Sequence, residues 1–150
     1  MARFLAALAV LTAGLAPLAA NAQMPDPIDG VTVDVDAGTL IGSRENGVLV
    51  FRGVPYAAPP TGENRWRPPQ PVEPWKGVRS ATAHEPPCAQ PVDIDTMVAN
   101  YGGVNGAQSE DCLYLTITAP ENAQGAPVLV WFHGGALFLG AGSLGSCDAT

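Results

Sequence analysis

Beyond Gln23 the chain contains no stretch of ten or more residues whose apolar side chains recur at helical spacing. No amphipathic helix is therefore predicted there to cover a sheet. There is no internal repeat, no CxxC and no paired-histidine spacing, so the sequence offers no basis for a metal or cofactor site, and none is expected. Basic side chains are scarce, with seven Lys and Arg against fourteen Asp and Glu in 150 residues. That balance argues against nucleic-acid or anionic-membrane binding, both of which need clustered cations. The uninterrupted apolar run of ~20 residues that spans a bilayer is missing as well.

What the first residues do contain is a leader. Arg3 supplies a positive start, Phe4 to Leu11 an apolar centre, and Ala20-Asn21-Ala22 a small-residue cleavage site. Met1 to Ala22 thus reads as a secretory signal peptide, leaving a secreted or periplasmic product that starts at Gln23. Thr12, Gly14 and Pro17 interrupt the apolar run, and no cysteine near the cleavage site could accept a lipid, so no stable membrane anchor is expected. Removing Arg3 leaves six basic side chains against fourteen acidic ones, a formal balance of −8. Such acidity suits solubility and names no ligand.

Three cysteines in an exported chain are disulfide candidates first, and three pairings are possible. Cys147 lies in a Gly/Ser-rich tail, whereas Cys88 and Cys112 bracket a polar segment, which favours Cys88–Cys112. Closing that loop would stabilise the fold by roughly 3–4 kcal/mol through the unfolded chain.

The alternation VTVDV over Val31 to Val35 predicts a half-buried strand, Asp36 to Gly38 a turn, and Thr39 to Ile41 its return. Asn46-Gly47 accepts the positive φ angles of a tight hairpin, so Val48 to Phe51 is the next strand. Seven prolines between Pro55 and Pro74 exclude regular helix or central strand. Tyr56, Trp66 and Trp75 are spaced to anchor that segment as a packed loop rather than a flexible linker or an SH3-type ligand. Leu113 to Thr118 is a further strand, Pro120 to Pro127 a connecting turn, and Val128 to Phe132 an apolar strand expected to be buried on both faces.

That last strand breaks into His133, Gly134, Gly135 and Ala136. Small residues after a strand leave successive backbone N–H groups able to point at one spot, the construction of an oxyanion hole. A hole implies a nucleophile, and a GxSxG elbow is lacking. The nearest pattern, AGSLG over Ala141 to Gly145, would nominate Ser143, but it follows the hole by a few residues without a strand of its own and reads as a chance match.

Three blocks in order, FRGVPYAAPPTGENRWRPPQP (Phe51 to Pro71), SEDCLYLTITAP (Ser109 to Pro120) and VLVWFHGGA (Val128 to Ala136), resemble the amino-terminal part of the type-B carboxylesterase family, which includes the cholinesterases. The similarity runs from about Val31 to Ser143. It implies an α/β class: the mostly β amino-terminal portion of an α/β-hydrolase fold, with the carboxyl-terminal sheet and helices absent. It also implies a carboxylic-ester hydrolase working on a small-molecule ester through a Ser-His-acid triad. By the same resemblance Cys88 and Cys112 correspond to a disulfide at the rim of the active-site gorge. Arg65 and Glu110 match a structural ion pair, which a bidentate contact would strengthen.

The family's hole uses the N–H groups matching Gly135 and Ala136, and removing such a donor costs ~3–4 kcal/mol of transition-state stabilisation. His133 and Gly134 are expected to support the loop rather than to act as base, and His84 to be exposed. Thr116 stands where the family often has Asn, and Leu137 where Phe often follows the hole; the second change bears on the acyl pocket, where Phe138 can compensate. Residues 23–150 would then be a truncated esterase domain that carries the hole and gorge loop but no triad, and would be inactive alone. The alternatives are a non-catalytic exported binding or adhesion protein on the same fold, and a disulfide-stapled β-rich module functioning at this length.

Overall fold

The computed structural model describes residues 30–90, 107–144 and 147. The segment read above as a signal peptide, Met1 to Ala22, lies outside the described residues. Five strands form one sheet: β1 Val31–Val35, β2 Gly38–Glu45, β3 Val48–Pro55, β4 Val78–Ser80 and β5 Tyr114–Pro120. The path is β1-β2-β3-β5, antiparallel throughout, and β4 joins β2 in parallel. Among the described residues the only other regular element is a 3-10 turn over Gly62–Asn64.

Each hairpin follows from its turn. Val35 pairs with Gly38 across a two-residue connection. Glu45 pairs with Val48 across Asn46 and Gly47, whose φ angles of 49° and 83° give the twist that a right-handed strand pair needs. β2 runs past the predicted Ile41 because its two halves serve different neighbours. Thr39 to Ile41 pair with β1 on one side and β4 on the other, while Ser43 to Glu45 pair with β3. The change of partner falls at Gly42, where an added Cβ would sit 2.5 Å from the Val50 carbonyl oxygen and 2.6 Å from the Phe51 ring.

β3 pairs with β5 along its length, with an irregularity between Phe51 and Val54 around Gly53, at φ 68°. The bulge turns Arg52 so that its N–H donates to the Ala81 carbonyl at 2.7 Å, while the Ala81 N–H donates to Ile41 at 2.8 Å. Ala81 is thereby wedged between β2 and β3. It is wholly buried and forms the centre of a small core with Leu40, Phe51 and Val54.

Of the three aromatics expected to pin the proline-rich segment, Trp75 does so and two do not. Trp75 donates its indole N–H to the Thr39 carbonyl at 2.9 Å and lies against Gly38. The Arg79 guanidinium sits 5.5 Å from the Trp75 ring and 5.7 Å from that of Tyr114, which links this segment to β5. Burial and a hydrogen bond with Asp111 push the Tyr114 phenol above its ordinary value. Trp66, at φ 62° two residues after the 3-10 turn, is 90% exposed, with the Arg65 guanidinium 5.4 Å from its ring; Tyr56 is also exposed. Spacing along a chain cannot say which way a ring faces once the backbone enters the left-handed region.

The β2–β3 hairpin carries an ionic cluster around Glu45. Arg52 grips both carboxylate oxygens of Glu45, one at 2.8 Å, and Ser43 donates to the same carboxylate at 2.5 Å. Arg52 and then Ser43 hold the Glu45 carboxyl down at about 2, against an ordinary 4.5, with a smaller push from the His84 charge. A depressed carboxylate stabilises the fold fully above its unfolded pKa and loses that contribution as pH falls toward the folded one. The unfolding free energy from urea titrations should hold steady above about pH 5 and drop between about pH 4.5 and 2, by about 1 kcal/mol after allowance for the pair's partial exposure. Glu45→Gln should remove that part of the slope, and an unchanged slope would count against the cluster.

Candidate functional site

The segment expected to be a doubly buried strand is not one. Val128 to Phe132 pairs with no strand among the described residues, and its side chains are exposed, Leu129 at 91%. An apolar run can form a strand only where a neighbouring strand accepts from its N–H groups and donates to its C=O groups, and no described strand pairs with it.

Beyond it the chain folds into a compact turn over residues 133–140. The Gly135 carbonyl accepts from the N–H of Phe138 and of Leu139, both at 3.1 Å. Ala136 and Leu137 stand at φ 53° and 66°, a left-handed conformation that costs a residue with a Cβ about 1–2 kcal/mol. Such strain persists where surrounding contacts fix it and is common at binding and catalytic loops. The backbone N–H groups of Gly135 and Ala136 make no hydrogen bond among the described residues. His133 Nδ1 lies 2.8 Å from the Gly134 carbonyl oxygen, so that nitrogen carries the proton in the contact. Leu137 is fully exposed and Phe138 about half exposed.

A second unit stands against this turn. Cys88 and Cys112 are disulfide-bonded, and the strands of chain beside them touch through Ala89 N–H to Ser109 O at 3.1 Å and Ser109 N–H to Pro87 O at 2.9 Å. Arg65 Nη2 meets Glu110 Oε1 at 2.6 Å; both side chains are half exposed, and such a pair contributes about 0–1 kcal/mol. Gln90 is the residue that sequence reasoning missed. Its side-chain amide accepts from the Gly140 N–H at 2.7 Å and donates to the Gly140 carbonyl at 3.0 Å. The same amide nitrogen also donates to Cys88 O at 3.1 Å, while the Gln90 main-chain N–H is held by Gln108 Oε1 at 2.6 Å. Gln108 Nε2 is buried with no hydrogen-bond partner among the described residues.

The remaining candidates lie apart from the turn or beside it. Ser143 is half-buried in the turn that follows. His84 is exposed, with Nδ1 3.3 Å from the Thr116 hydroxyl on β5. Cys147 is half-buried outside the disulfide. Among the described residues no three His, Cys, Asp or Glu side chains converge as metal ligands would, and no helix is long and apolar enough to cross a membrane.

Comparison with known proteins gives one consistent result. The sequence profile of the carboxylesterase family matches residues 29–150. The chain is 45% identical over 112 residues to para-nitrobenzyl esterase of Bacillus subtilis (strain 168), covering 74% of this chain and 22% of that protein. It is 46% identical over 111 residues to phenmedipham hydrolase of Pseudarthrobacter oxydans, covering 72% and 22%. Against the medium-chain fatty acyl-CoA hydrolase precursor of Anas platyrhynchos it is 39% identical over 148 residues, covering 89% and 26%. Among solved structures, a PNB esterase superposes with a TM-score of 0.71 at 44% identity, over 79% of this chain and 24% of that one. The chain thus spans about a quarter of the length of the proteins it matches.

Proposed function

The chain belongs to the carboxylesterase family, and from that premise we propose that it forms the oxyanion-binding part of an exported carboxylic-ester hydrolase. Its fold is the mostly β portion of an α/β-hydrolase. The observation that carries the reading is the pair of adjacent N–H groups on Gly135 and Ala136, which have no acceptor among the described residues, in a turn that holds two left-handed residues. When a nucleophile adds to an ester carbonyl, negative charge grows on the carbonyl oxygen. Two preset backbone donors stabilise that charge more than they stabilise the neutral ester, so they lower the barrier rather than tighten ground-state binding. His133, through the Gly134 carbonyl, and the disulfide-linked segment on the other side of the turn support the loop. Serine supplies the nucleophile from a GxSxG elbow, a pattern that none of the 150 residues provides. Ser143 is a poor substitute, because it is half-buried on a turn with no strand to present it.

The test uses two proteins. The exported product of the complete reading frame, beginning at Gln23, should hydrolyse a short-chain nitrophenyl ester and release a stoichiometric burst as the acyl-enzyme forms. Purified residues 23–150 should not exceed the buffer rate. A burst from the shorter piece would make Ser143 a nucleophile and sink this assignment of parts. A full reading frame in which the elbow serine is replaced would instead favour the binding or adhesion protein.

A further inference from the structure

We propose that Gln90 is a positioning residue for the oxyanion loop, acting as a two-point clamp that ties Gly140 to the Cys88–Cys112 disulfide. This rests on the esterase reading of residues 133–140. The geometry is that of a strand ladder reproduced by one side chain: the Gln90 amide oxygen takes the Gly140 N–H at 2.7 Å and the amide nitrogen gives to the Gly140 carbonyl at 3.0 Å. Both hydrogens of that nitrogen are used, the second on Cys88 O at 3.1 Å. The side chain therefore cannot rotate without breaking bonds at both ends. Its own backbone is fixed by Gln108 at 2.6 Å, and the disulfide begins two residues earlier.

Gly140 passes the restraint to the hole. It stands at φ 103°, and a Cβ placed there would meet the Gly134 carbonyl oxygen at 2.6 Å and His133 Nδ1 at 2.9 Å. The two ends of the loop therefore lie in contact, and whatever fixes Gly140 also fixes His133 and Gly134, which immediately precede the donor Gly135. A loop so short, with Ala136 and Leu137 in strained conformations, has lower-energy alternatives if one end is released. The clamp excludes them across fifty residues of sequence.

Gln90→Glu is the informative variant, because it keeps size and one acceptor but removes both donated bonds and places a carboxylate against the Gly140 carbonyl. In the protein of the complete reading frame, Gln90→Glu and Gln90→Ala should each lower kcat per titrated active site about tenfold, with KM within about twofold. The expectation follows from losing donors that act on the transition state. Amide hydrogen exchange over residues 134–140 should quicken about tenfold while β1 to β3 stay unchanged. Wild-type exchange in this loop in Gln90→Glu would overturn the clamp, as would a fall in active-site count with kcat per site unchanged, the mark of a merely structural role. If the wild-type protein had no titratable serine, the esterase reading would fall and exchange alone would decide whether Gln90 holds the loop.

Discussion

Replacing Gly135 by alanine is expected to slow ester hydrolysis by the complete protein about 100- to 1,000-fold, the range that follows loss of an oxyanion donor. A Cβ on Gly135 would fall 1.7 Å from the Leu139 carbonyl oxygen and 2.6 Å from its carbon. Both are backbone atoms, so no side chain can swing aside. The φ of 132° is itself one that residues with a Cβ rarely adopt. Relief requires Gly135 to move, yet its carbonyl holds the turn through Phe138 and Leu139. The donors of Gly135 and Ala136 would move with it. Gly134→Ala is the control for the loop's conformation, since its added methyl meets nothing within 4 Å. Hydrogen exchange over residues 134–140 should change in the first variant and not in the second. In Gly135→Ala, kcat should fall while KM changes little. Activity of Gly135→Ala within about threefold of wild type would remove these N–H groups from the reaction.

Parts of this architecture are legible in the sequence because they are local. VTVDV alternates with period two and Asn46-Gly47 dictates its own hairpin, so β1, β2 and β3 follow from residues in immediate succession. β5 is shifted only slightly from the predicted Leu113 to Thr118, to Tyr114–Pro120. β4 was not foreseen, because three residues are too few to show a period and its pairing with β2 spans the whole proline-rich segment. Val128 to Phe132 failed for the opposite reason. Its composition states what the segment prefers, namely burial, whereas burial depends on what lies around it. The Gln90–Gly140 contact has no motif at all: a glutamine two residues after a cysteine gives no indication of a glycine fifty positions on. The small residues of HGGA suggest a hole, but which neighbour holds the turn over residues 133–140 is a property of the tertiary structure.

Replacing both Cys88 and Cys112 by serine should lower stability by ~3–4 kcal/mol, because the denatured chain regains the freedom of a closed loop of sequence separation 24. Denaturant unfolding should show a lower midpoint together with a steeper slope, since the unfolded chain then exposes more surface. The bond also anchors the clamp: Cys88 O accepts from the Gln90 amide, and the paired segments around Ala89 and Ser109 begin at the disulfide. Loss of the bond should therefore reach the proposed oxyanion turn through Gln90 and reduce kcat per titrated site severalfold, well short of the Gly135→Ala effect. A double-mutant cycle isolates that route. If disulfide and amide act on Gly140 in series, adding Gln90→Ala to the double-serine protein should cost less in kcat than it does in the wild type. Fully multiplicative effects would mean that the disulfide stabilises the chain without helping to place the loop.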